Sequence, residues 1–195
     1  MTSETVVIEA TRRHLTSRQA HLVERLLDAT ADEIRAVGYE PLTVRTVARR
    51  AAVAPATAYT YFSSKDHLIA EVMWRRFRSL PTTPHRSRRS AADRVISVLR
   101  DIGTFLADDP ELAAAGTKAL LGAGLDVKHI RDRIGSDVHG RLAAALGEQT
   151  DPAVLRALEL AYSGAMLTAG LGHFGFDTVP DRLAGVARLL LGDSR

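Results

Sequence analysis

Cysteine is absent from this 195-residue chain, which excludes disulfides, thiolate metal sites and cysteine nucleophiles. No uninterrupted apolar run approaches the roughly 20 residues that span a bilayer, and the leading residues hold no apolar signal core. The expectation is a soluble, cytoplasmic protein with no membrane partner. The period-two alternation of strands is missing, as is any internal repeat. Groupings that carry chemistry are thin as well. The 7 histidines are scattered, and His129 and His139 lack the i, i+3 or i, i+4 spacing that puts two imidazoles on one helix face for a metal. Ser63, Ser64 and Lys65 lack the i, i+3 register of a serine nucleophile with a lysine base, and no oxyanion-forming glycine turn follows. Gly170, Gly172 and Gly175 follow no strand, so a dinucleotide loop is ruled out. No metal, no cofactor and no enzymatic activity are expected.

Net charge is small, +3, but unevenly distributed. Through residue 92 there are 15 Lys/Arg against 9 Asp/Glu, a balance of +6; from residue 93 onward 11 against 14 give −3. A basic half beside an acidic one fits a protein that meets a polyanion with one domain only. With 46% hydrophobic residues the chain can bury a proper core, as one larger domain or two small ones.

What is present is helical. Leu22, Val23, Leu26, Leu27, Ile34 and Val37 make one stripe from about Arg18, ended by Gly38. The most informative stretch follows, residues 43 to 68. Thr43 is placed to N-cap a short helix whose Val44, Val47, Ala48 and Ala51 share a buried face, leaving Arg45, Thr46, Arg49 and Arg50 off it. Pro55 lacks an N–H and disfavours the helical conformation at Ala54, so the chain turns across residues 52 to 54. Proline also suits the first position of a new helix. That helix, Pro55 to about Phe62, presents Thr57, Tyr59, Thr60 and Tyr61 among alanines small enough for close approach to a duplex. Ser63 or Ser64 caps a third, beginning near Lys65 and Asp66 and keeping Leu68, Ile69, Val72, Met73 and Phe77 on one face to about Leu80.

Two short helices about a tight turn have the layout of a helix-turn-helix. Val53, Thr57, Tyr59, Tyr61, Phe62, Ser64, Lys65 and Leu68 match in order the pattern V-S-x-G-T-L-Y-x-Y-F-x-S-K-x-x-L, so the segment resembles the DNA-binding domain of the TetR family of bacterial one-component transcription regulators. The chain departs from that pattern at Ala52 and Ala56, where glycine is usual, at Ala54 for a polar cap, and at Ala58 for leucine. Alanine at the turn is strained if its φ is positive. The resemblance covers roughly residues 18 to 80.

Past that point, residues 81 to 90 read as an irregular connection and mark the domain boundary. Val95, Val98, Leu99, Ile102, Phe105 and Leu106 make an amphipathic helix stopped near Pro110. A short helix from Leu112 to Leu121 follows, closed by Gly122 and Gly124, then one over 126 to 146 weakened by Gly135 and Gly140. Pro152 opens a long helix to about Gly172, and Pro180 a last one. The 152–172 segment is apolar on more than one side, so one face needs a partner.

The expected architecture is all-α. A basic N-terminal arm (1–17) precedes a three-helix helix-turn-helix DNA-binding domain with a linking helix (18–80), and a helical effector-binding and dimerisation domain follows (81–195). The resemblance implies a sequence-specific regulator, most commonly a repressor. It would be a homodimer through its last two helices, seated on palindromic double-stranded operator DNA and released by a small-molecule effector. It assigns phosphate contacts to Tyr59, Tyr61 and Lys65. Arg45 is placed to read guanine, and Thr57 and Thr60 a thymine methyl or a bridging water; Thr43, Thr46, Pro55 and Ala56 complete the DNA-facing set. Arg12, Arg13, His14 and Arg18 would follow phosphates or enter a minor groove. Trp74, Phe77, Phe105, Leu121, Tyr162 and Met166 are the candidate effector lining, apolar enough to suggest a lipophilic ligand. A different class remains open, a helical architectural or protein-interaction module that binds DNA without sequence choice.

Overall fold

The computed structural model describes residues 16–80, 90–148 and 151–192. Among these residues regular structure is helical throughout: α1 (Ser17–Val37), α2 (Val44–Arg50), α3 (Pro55–Tyr61), α4 (Lys65–Arg78), α5 (Ala91–Ala107), α6 (Pro110–Leu120), α7 (Leu125–Leu146), α8 (Pro152–Gly170) and α9 (Val179–Leu191). A single 3₁₀ turn, Phe176–Thr178, precedes α9 and left no mark in the periodicity.

Local signals set the helix ends. At the start of α1 the Thr16 side chain accepts from the Gln19 N–H while the Gln19 side chain accepts from the Thr16 N–H, a reciprocal capping box. Gly38 closes α1 with φ +76°, a conformation glycine takes without a Cβ clash. Ser64 caps α4 by accepting from the His67 N–H, Asp109 caps α6 and Asp151 caps α8, the last two each followed by a proline. The helix α7 runs unbroken through Gly135 and Gly140, because both lie on its exposed side. Its C-terminal carbonyls are satisfied by Arg94 of α5, which donates to Ala145 and Leu146.

In the amino-terminal unit Val23, Leu26, Leu27 and Ile34 of α1 pack with Val44 and Val47 of α2 and with Phe62, Leu68, Ile69 and Val72. The helix α4 belongs to this core and to the next. Its Met73 lies against Gly116 of α6, and its Phe77 ring meets Phe105 of α5 edge-on at 6.2 Å between centroids. Two further close crossings depend on glycine, Gly103 of α5 under Pro180 of α9 and Gly170 of α8 against Thr117 of α6. The apolar cluster runs without a break from Val23 to Ala187. Residues 81–89, at the expected division, lie outside the described ones.

Candidate DNA-binding interface

Two short helices and a turn form the candidate interface. The cap of α2 is a capping box built from two threonines. Thr43 Oγ1 accepts from the Thr46 N–H at 3.1 Å, and Thr46 Oγ1 accepts from the Thr43 N–H at 3.1 Å. Thr46, expected to face DNA, thus has its hydroxyl engaged in holding the helix end. Val44, Val47, Ala48 and Ala51 are buried as their spacing predicts, and Arg45, Arg49 and Arg50 are exposed. Arg50 turns back to Glu33 of α1 at 2.6 Å, tying α2 to α1. Arg45 and Arg49, one turn apart on the outer side, have no ion pair among the described residues. Sequence reasoning gave Arg49 no role, although its i, i+4 spacing from Arg45 was visible.

Pro55 occupies the first turn of α3, and Ala54 before it offers no side-chain cap. Pro55, Ala56, Tyr59 and Thr60 are exposed and Thr57 half-buried, so five of the expected contacts lie together on one outward face. Thr60 Oγ1 donates back to the Ala56 carbonyl at 3.1 Å. The two tyrosines, both expected to meet phosphate, divide between surface and core. Tyr59 is 47% exposed, whereas Tyr61 is 8% exposed and packs in the core. The cause is helix phase: Ala58 and Tyr61 are i and i+3 and face inward together, which turns Tyr59 out.

Lys65 is more constrained than a free phosphate contact. Its Nζ donates to the carbonyls of Tyr39 (3.1 Å) and Glu40 (3.3 Å) and stands 4.1 Å above the Tyr39 ring. The Tyr39 hydroxyl donates to Asp66 Oδ1 at 2.6 Å. Burial first, and then that hydrogen bond, push the phenol up to about 12. Lys65 therefore closes the α1–α2 loop, with two of its three N–H donors on loop carbonyls. Of the basic arm, Arg18 is exposed at the start of α1; Arg12, Arg13 and His14 lie outside the described residues.

At the junction with the helical body one carboxylate ties three helices together. Asp109 Oδ1 accepts from the Leu112 N–H at 3.3 Å, capping α6. Its Oδ2 accepts from Arg35 Nη2 of α1 at 2.7 Å and from Arg76 Nη1 of α4 at 2.8 Å. Burial acts to raise the Asp109 pKa, but the bonds from Arg35, Arg76 and Leu112 outweigh it and hold the carboxyl below the usual range. At the other end of α6, Lys118 reaches Glu40 at 3.2 Å. An open cleft of about 540 Å³ lies at this joint, lined by Arg35, Arg76, Ser79, Phe105, Asp108, Asp109 and Glu111. It is polar, unlike the lipophilic lining expected from the sequence.

The six proposed effector residues do not all converge. Phe77 is buried, and Trp74, Phe105, Tyr162 and Met166 are half-buried against the same core. Burial raises the Tyr162 phenol pKa. Leu121 is 64% exposed. The buried stripe of α6 is Leu112, Ala115, Gly116 and Ala119, and a residue two past Ala119 points about 200° round the helix. Leu121 is thereby removed from the lining.

The family model for Bacterial regulatory proteins, tetR family, matches residues 26–72, which span α2 and α3 and parts of α1 and α4. An HTH-type transcriptional regulator of Mycobacterium tuberculosis is 46% identical over 176 residues, covering 89% of this chain and 82% of the relative. The HTH-type transcriptional repressor KstR of Rhodococcus jostii is 31% identical over 176 residues, covering 87% of this chain and 82% of the repressor. Among solved structures, a TetR transcriptional regulator from Rhodococcus superposes with a TM-score of 0.74 at 23% identity over 92% of this chain and 100% of that one. FadR from Bacillus subtilis, solved in complex with stearoyl-CoA, gives 0.58 at 17% identity over 88% and 99%. With a paired-helix reading head of this geometry and relatives that match along most of its length, the chain belongs to the TetR family of bacterial transcription regulators, which bind DNA.

Proposed function

We propose that the protein is a homodimeric repressor that seats two reading heads on a palindromic operator and leaves it when an apolar small molecule binds the helical body. The observation that carries this reading is the outward face of α2 and α3, where Arg45, Arg49, Tyr59 and Thr60 are exposed and the two arginines have no ion pair among the described residues. Two guanidiniums one turn apart suit guanine O6 and N7 or flanking phosphates, and the Tyr59 hydroxyl suits a phosphate. The repressor activity named for the KstR relatives supports the sign of regulation.

Dimerisation is supported by the surface of the last two helices. Of the 19 residues of α8 only Leu158 and Ala169 are buried in the chain. Leu160 (74% exposed), Leu167 and Leu171, with Leu189 (87%) and Leu190 at the end of α9, leave apolar surface open to solvent. A two-fold dimer pairs with a palindromic site because both share the symmetry. For the effector, Trp74, Phe77, Phe105, Tyr162 and Met166 remain the proposed lining, and the stearoyl-CoA found in one FadR structure suits an apolar ligand. The signal would pass through α6, since Asp109 at its start is bonded to both α1 and α4. Regulation requires that the ligand prefer the arrangement of α6 in which the heads no longer match the operator.

The test is a selection of genomic fragments bound by the purified protein, followed by titration of the best palindrome and a scrambled duplex across salt concentrations. The proposal expects a preference of about a thousandfold or more at moderate salt. A steep salt slope with no preferred sequence would instead establish an architectural DNA binder.

A further inference from the structure

The turn between α2 and α3 is held by a residue outside the helix-turn-helix. The Ala52 N–H donates to the Arg49 carbonyl at 3.1 Å and the Val53 N–H to the Ala48 carbonyl at 2.8 Å, the paired bonds of a Schellman ending. This ending needs a left-handed residue at its apex, and the apex here is Ala52, with φ +51°. Among the described residues it is the only one other than glycine with positive φ. A methyl group in that region is unfavourable, so left to itself the turn is poised to relax.

Something must hold it, and the neighbouring α1 supplies a guanidinium. Arg25 Nη2 donates to the Ala51 carbonyl and, at 3.3 Å, to the Ala52 carbonyl. The two Schellman bonds leave these acceptors unused, and they lie at the negative end of α2. Arg25 forms no ion pair with a carboxylate among the described residues, so its charge faces the turn. The angle at which Pro55 starts α3 follows from the backbone torsions at 52 to 54. We infer that Arg25 is a positioning residue for DNA recognition: it clamps Ala52 in the left-handed conformation and so aims α3. The inference rests on the reading of α2 and α3 as the DNA-reading pair.

A double-mutant cycle with R25M and A52G tests it, read by operator affinity, by affinity for a scrambled duplex and by denaturation of the DNA-free protein. R25M should weaken operator binding by roughly ten- to a hundredfold, the range for one hydrogen bond from a charged donor, since the bond to the Ala52 carbonyl is long and exposed, with a smaller effect on the scrambled duplex. R25K keeps the charge but cannot present a planar fork to two carbonyls, and should recover only part of the loss. A52G removes the strain that the clamp opposes, so in the R25M background it should restore most of the affinity. In the DNA-free protein, R25M should lower the folded-to-unfolded ratio by a larger factor with Ala52 in place than in the A52G background. Equal losses on both duplexes, full recovery by R25K and no rescue by A52G would mean that Arg25 is an ordinary phosphate contact and would overturn the inference. So would additivity of the two substitutions in denaturation, a readout independent of DNA. A wild-type protein with no sequence preference would count against the proposed function alone.

Discussion

Replacing Gly103 by alanine poses a contest between two terms of similar size. Gly103 lies inside α5, where alanine is favoured over glycine by about 1 kcal/mol through backbone entropy. A Cβ built at this position stands 2.1 Å from Pro180 Cγ and 2.7 Å from its Cδ, against the 3.4 Å or more of ordinary contact. The obstacle is a rigid ring in the first turn of α9, so α5 and α9 must separate by about 1 Å, and such overpacking costs about 1–3 kcal/mol. With a ring unable to change rotamer the upper part of that range applies, and the expected net loss is about 1–2 kcal/mol. At this chain length that lowers the melting temperature by roughly 2–8 °C. The assay is urea denaturation followed by the fluorescence of the single tryptophan, Trp74, at one fixed protomer concentration because the proposed dimer would add a concentration-dependent contribution to stability. Gly135→Ala and Gly140→Ala are the controls, since a Cβ at either meets nothing within 4 Å. Each should stabilise by about 0.5–1 kcal/mol. A Gly103→Ala midpoint raised as far as those of the controls would refute the clash with Pro180.

Three further outcomes follow from features of the body and the joint. Asp109→Asn keeps the cap on α6 but removes the charge between Arg35 and Arg76; it should cost about 1–2 kcal/mol, with Arg35 discounted for its exposure. The lowered Asp109 pKa makes its stabilisation present above about pH 4 and lost as pH falls through the folded value, so wild type and variant should converge only in acid. Glu71 has the opposite sign: burial raises its pKa despite Arg75, and its Oε2 has no hydrogen-bond partner among the described residues. Its contribution is fully present below the ordinary glutamate range and lost as pH rises through the raised folded value. Glu71→Gln should therefore stabilise the protein at neutral pH and flatten the urea midpoint between pH 4 and 8. Leu160→Arg with Leu189→Arg should yield a monomer by sedimentation, with little change in helical content, because neither side chain is buried within its own chain.

Much of the helical layout is legible because local chemistry writes it. Gly38, Pro55, Pro110, Pro152 and Pro180 mark helix ends through their own backbone restrictions, and the apolar spacing of Val44, Val47 and Ala48 sets the buried side of α2. The interface residues were harder to place, for physical reasons that differ. A helix of seven residues rich in alanine gives little apolar contrast to set its phase, which is why its pattern does not tell the buried Tyr61 from the exposed Tyr59. Thr46 serves the cap as a threonine where glutamate or glutamine is the recognisable signal. Lys65 bonds carbonyls 25 and 26 residues away, and Arg35 meets Asp109 across 74 positions. No periodicity encodes pairings of that range; they exist only once helices pack. The polar cleft at Phe105 is of the same kind, made by three separate segments.

The sparse burial of α8 has a consequence beyond contact area. A newly made chain cannot cover that helix alone, so under the proposed assembly its apolar side stays open to water until a second copy arrives. A copy with a ruined α3 would still find a mate through α8 and α9. Each such mixed pair would carry one working head, too little for a two-sided site, and a defective allele would silence the sound one in proportion to its abundance.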